Sequence, residues 1–87
     1  RSKGAEQEAW FIYFTSLRVL FISLVVHGSV RLPDGFRAAF RYLKEVNADT
    51  TAAIDAFAHV LGLGWFINNT LGSVNIEFVG KVLMNFG

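Results

Sequence analysis

At 87 residues with 8 basic and 7 acidic side chains and a net charge of +1, the chain reads as one small domain without the basic field that gathers phosphates, which disfavours nucleic-acid binding. It has no cysteine, which removes disulfides, thiolate metal sites and cysteine nucleophiles together. Hydrophobic residues reach 53% before the 8 glycines are counted, and nine phenylalanines face only two tyrosines; soluble domains sit at about 45–50% with glycine included.

That excess points to a membrane protein, or to a subunit that buries much of its surface against partners. The chain starts at Arg1, as a processed or trimmed N-terminus would. Residues 1–9 are polar and of mixed charge and read as a solvated N-terminal tail. Glu6 and Glu8 are placed where a following helix dipole favours anions.

Trp10 to Val26 is one apolar run, interrupted by a single charge at Arg18. At about 1.5 Å per residue it spans roughly 25 Å, and extension to Val30 gives a comfortable transmembrane helix over 10–30. The run exceeds the about 7–15 apolar residues of a signal peptide. Trp10 and Tyr13 sit at one end, where interfacial aromatics belong. Apolar residues surround the whole helix, the pattern of a helix buried on all sides. Two paired strands would also suit the β-branched and aromatic content, but no turn residue divides the run.

Arg18 is the most informative residue. A central Arg costs about 2.5–3.5 kcal/mol on insertion scales and usually finds a partner. Three readings follow: an intramembrane ion pair or anionic ligand, docking against a carboxylate of a neighbouring chain, or a segment that is not in lipid. Within the chain, Asp55 and Glu77 are the candidate partners.

The connection 28–35 holds the one proline, and Asp34 is the expected N-cap of the next helix. Over 34–47, Phe36, Ala39, Phe40, Leu43 and Val46 recur at helical spacing while Arg37, Arg41, Lys44 and Glu45 fall away from that stripe. The pattern suits an amphipathic helix on a membrane surface, with Arg37 and Arg41 toward lipid or a partner, and equally a surface helix of a soluble domain. Asn47 to Thr50 is a break and a new cap.

A second apolar helix is expected over 51–72, spanning or re-entrant. Asp55 and His59 lie four apart on it and are expected to hydrogen-bond. Two histidines and no cysteine make no metal site, and no nucleophile completes a catalytic set. In a photosynthetic membrane a lone helical histidine can ligate chlorophyll, so His59 and then His27 are the candidate pigment ligands. Gly62-Leu63-Gly64 matches no nucleotide-binding loop and reads as a flexible joint or a close helix contact. Asn68-Asn69-Thr70 matches a glycosylation sequon, but its apolar flanks argue against occupancy. Residues 73–87 fit both an amphipathic helix and an alternating strand, with helix preferred on length.

The basic residues of the 27–50 connection place it on the cytoplasm-like side. Together these features predict an all-α, small integral-membrane protein with one or two transmembrane helices and an amphipathic surface helix. A small soluble α+β domain is the alternative. The expected role is a non-catalytic accessory subunit of a larger membrane complex of the respiratory or photosynthetic type, in an organellar inner or thylakoid membrane. Its contacts would be with other subunits and bound lipid, through Arg18, Trp10, Arg37 and Arg41. A soluble interaction domain and a membrane-active or channel-forming protein are the rival functions.

Overall fold

The computed structural model describes residues 3–71 together with Lys81, Met84 and Asn85. Three α-helices follow in order: α1 (Lys3–His27), α2 (Asp34–Glu45) and α3 (Thr51–Leu71). No strand occurs among the described residues, so the helical class holds there, while the C-terminal alternation that would supply the strand of the α+β alternative lies outside them. The expected 73–87 segment lies outside the described residues, apart from Lys81, Met84 and Asn85, which are helical.

α1 starts at Lys3 and not at Trp10, which corrects the reading of residues 1–9 as a tail. The stretch from Ala5 to Ala9 contains good helix formers, Glu6 sits in the first turn, and Ala9 is buried in the core. The helix ends at His27, short of Val30, because Gly28 takes φ +67° and its N–H donates back to the Leu24 carbonyl at 2.9 Å. That left-handed residue terminates the helix in the αL manner.

α2 opens at Asp34, with Pro33 in the N-cap position at φ −63° and ψ 152° and no side-chain cap bond. Asp34 is therefore a first-turn anion and not the cap. At the other end Asn47 stands at φ +60°, with Asn47 N–H bonded to Lys44 O at 3.2 Å and Ala48 N–H to Leu43 O at 2.9 Å. This is a Schellman termination in which Asn supplies the left-handed residue. Asp49 then accepts the Thr51 N–H at 3.0 Å and opens α3.

α1 is the central element, and two pairs of contacts fix the directions. Tyr13 reaches Ala53 and Asn68 reaches Val25, so α1 and α3 run parallel. Gly35 faces Ile12 and Ser16, while Tyr42 lies beside Ala5 and Glu8, so α2 runs antiparallel to α1. The 28–33 connection must descend from the level of His27 to that of Ser16, about 17 Å along the axis, with six residues. Those residues reach about 20 Å only when nearly extended. Ser23 Oγ holds this strap against α1 by donating to the Ser29 carbonyl at 3.1 Å.

Packing follows a four-three spacing. Ala9, Tyr13, Ser16, Leu20 and Ser23 of α1 are buried, with Leu17 and Leu24 beside them. The inner face of α3 includes Ala53, Phe57, Val60 and Gly64. α2 contributes Phe36, Ala39 and Leu43. Tyr13 is the hub: its ring stacks on Phe36 at 4.8 Å and on Phe40 at 6.0 Å, and Phe36 continues the cluster to Phe57 at 5.3 Å.

Among the described residues, α1 is the one helix long and apolar enough to cross a bilayer, a measure that the core helix of a soluble protein also passes. α3, expected to span or re-enter, matches its expected bounds closely but does not reach that apolarity.

Candidate functional site

α2 is short and covers only the N-terminal half of α1. Beyond it, the C-terminal half of α1 is packed by α3 and the strap, and no other described residue covers the rest of its surface. Val19 and Ile22 are exposed there on α1, and Leu63, Trp65 and Phe66 on α3. Phe11, Ile12, Phe14 and Ile54 extend the apolar surface toward the other end. Phe66 is 64% exposed and Phe11 68%, values a water-facing helix seldom gives to phenylalanine.

The inner side of the same region mixes the buried Leu20 and Leu24 with small or polar residues. Ser23, Gly64 and Asn68 pack inward, with Leu24 between them. A methyl group on Gly64 would stand 2.9 Å from Leu24 Cβ, so the two backbones approach as closely as they do because residue 64 has no side chain. Of the two uses expected for Gly62-Leu63-Gly64, this is the close helix contact. Asn68 Nδ2 donates to the Val25 carbonyl at 3.0 Å, satisfying an acceptor near the C-terminal end of α1. The sequon asparagine is thus part-buried and engaged.

Between α1 and α3 runs a groove of about 430 Å³ lined by Phe14, Leu17, Arg18, Phe21, Ile22, Ala56 and Val60. Arg18 is its one charged lining residue, and it is exposed. Among the described residues it makes no ion pair with Asp55, which corrects that expectation. Asp55 is itself exposed, whereas its neighbour Ala56 is the residue that faces the groove. Glu77, the other expected partner, lies outside the described residues.

Asp55 and His59 share the exposed side of α3 without a hydrogen bond between them. His27 is the exposed last residue of α1, so the two imidazoles sit on different helices. No group of three or more metal-ligating side chains occurs among the described residues. Trp10 is partly buried, stacked on Phe14 at 5.7 Å and edge-on to Tyr13 at 6.2 Å.

Arg37 and Arg41 project from the outer face of α2 beside Lys44 and Glu45, while the apolar stripe of that helix is buried on Tyr13. The stripe therefore packs inside the fold, and the charged face is what remains outside. Lys44 Nζ lies 5.8 Å from the Phe40 ring centre and covers it with a cation–π contact.

Sequence reasoning found Arg18 and the two apolar helices. It missed the outward set of Phe14, Leu63, Trp65 and Phe66. The four-three spacing of Tyr13, Ser16, Leu20 and Ser23 is the signal that separates the inner from the outer face of α1.

No family model matches the chain, and no curated protein or solved structure matches it either.

Proposed function

We propose that this chain is a non-catalytic accessory subunit of a larger membrane complex, docked through the bare outer faces of α1 and α3. The observation that carries the reading is the set of large apolar side chains left outward on the C-terminal half, Val19, Ile22, Leu63, Trp65 and Phe66, over an interior in which Gly64 and Asn68 stand beside the buried Leu20 and Leu24. Helices that associate in apolar surroundings put small and hydrogen-bonding residues at their contacts and large apolar ones outward. Only 39% of the apolar window of α1 is buried inside the chain, so most of it is left for lipid or a partner. An exposed apolar surface of this extent marks an interaction site.

α2 fits the same arrangement from the other end. The connection between α1 and α3 runs back along α1 toward its N-terminal end, so the one-sided placement expected for residues 27–50 does not fit this fold. The exposed Arg37, Arg41 and Lys44 instead give α2 a charged flank beside the N-terminal half of α1, suited to water or a charged partner. The host class stays the one expected from the sequence, an energy-converting assembly, and rests on class-level analogy.

The test is extraction. Native membranes are washed with alkaline carbonate, solubilised in mild detergent and separated by size. The chain is expected to resist the wash and to migrate with a discrete larger assembly. A soluble helical interaction domain, which could use the same apolar face, would instead leave the membrane in the wash.

A further inference from the structure

We infer that the groove between α1 and α3 receives an apolar helix of a partner subunit bearing a single carboxylate opposite Arg18. This rests on the docking role proposed above and names the chemistry of the partner. The groove lies on the flank of α1 away from α2, with walls from Phe14, Leu17, Phe21 and Ile22 on one side and Ala56 and Val60 on the other.

Arg18 interrupts an otherwise apolar lining, and no anion among the described residues answers it. While the groove is open, water solvates the guanidinium. Once an occupant covers it, that water is lost, and a wholly apolar occupant leaves a desolvated charge without a partner. The occupant therefore brings the anion. A gain in binding of a Glu-bearing helix on Glu77→Gln would instead assign Arg18 to the chain's own C-terminal segment and overturn the proposal.

The position of Arg18 along the groove selects the kind of occupant. Phe14 lies one turn before it and Ile22 one turn after, both on the lining. The anion must be flanked by apolar surface in both directions. A fatty acid or phospholipid carries its charge at one end, so it would pair with Arg18 and leave half the groove unfilled. A helix with a carboxylate at mid-length and apolar residues a turn to either side fills both halves. Ala56 keeps the α3 wall low enough for a helix backbone to approach.

The test uses the full chain in phosphatidylcholine bilayers, with a donor fluorophore at its N-terminus. Synthetic Leu/Ala helices of roughly 20 residues, the length of a span, carry an acceptor and have Glu, Lys or Leu at the centre. The Glu peptide is expected to associate about tenfold more tightly than the Leu peptide, the scale of one interhelical polar contact in lipid. Arg18→Leu is expected to bring the ratio to one, and Arg18→Glu to transfer the preference to the Lys peptide.

Equal binding of the Glu and Leu peptides overturns the proposal, as does a preference that survives Arg18→Leu. Arg18-dependent displacement of the peptide by phosphatidylglycerol would assign the groove to a lipid, and Arg18-dependent energy transfer between two copies of the chain would assign it to self-association. Either result overturns it too. The docking role is read separately by extraction from native membranes, so an indifferent groove and a free chain are distinct results.

Discussion

The Tyr13 hydroxyl donates to the Ala53 carbonyl at 2.6 Å, joining α1 to the first turn of α3 across forty positions of sequence. The same ring stacks on Phe36 of α2, so one side chain ties all three helices together. Tyr13→Phe keeps the stack and loses the hydrogen bond, with an expected destabilisation of about 1 kcal/mol. Tyr13→Ala removes the ring as well, and about 3–5 kcal/mol is expected, the scale of an aromatic lost from a core. Denaturant titration in detergent, followed by circular dichroism, reads both.

Gly62 and Gly64 are two apart on α3, and their alanine substitutions are expected to act in opposite directions. A methyl at residue 62 meets nothing within 4 Å, so Gly62→Ala gains helix propensity and stabilises by up to about 1 kcal/mol. A methyl at residue 64 meets Leu24 at 2.9 and 3.1 Å, so Gly64→Ala forces α1 and α3 apart and destabilises by about 1–3 kcal/mol. Thermal melts of the two variants beside the native chain check the signs.

These positions also show what was legible in the sequence. The order and approximate extents of three helices could be read, because apolar periodicity and the breaks at residues 28–35 and 47–50 are local signals. The close contact at Gly64 was one of two readings, since a glycine pair looks alike in a joint and at a crossing. The inner and outer faces of α1 were not separated, because apolar residues occupy its whole circumference and only contacts decide which serine faces inward. The Arg18–Asp55 pairing failed for a geometric reason: Ala56, and not Asp55, faces the groove. The start of α1 was misplaced because the polar residues before Trp10 resemble a solvated tail, while Ala9 is buried among the core residues.

Asn68 bonds the Val25 carbonyl, and its side chain also lies 3.1 Å from where a methyl on Gly28 would stand. Asn68→Leu leaves that carbonyl without its side-chain donor, at an expected cost of about 1–3 kcal/mol. Gly28→Ala combines that contact with strain at φ +67° and is expected to cost about 1–2 kcal/mol. Hydrogen exchange should localise both effects to the C-terminal ends of α1 and α3.

Asp49 titrates below its ordinary value of 3.8, chiefly because the Thr51 backbone N–H bonds its carboxylate, with the Thr51 side chain adding to the effect. A depressed folded-state value means the ionised form is favoured on folding. The resulting stability is present above the unfolded value and is lost as pH falls through the folded one. Stability is therefore expected to decline below about pH 4. Asp49→Ala is expected to flatten that acid limb while shortening the start of α3. Denaturant midpoints measured between pH 2 and pH 6 test this.

The central claim is that the outer faces of α1 and α3 belong against other chains in a membrane. The most direct measurement compares the native chain with a Phe11→Ser, Phe66→Ser double variant, both tagged and expressed in their own membranes, by mild-detergent extraction and native electrophoresis. The native chain is expected in a discrete high-mass band. The double variant is expected to fall out of that band while keeping its helical circular dichroism, because both side chains point away from the core. Recovery of the native chain as a free, monodisperse monomer in plain buffer would contradict the account.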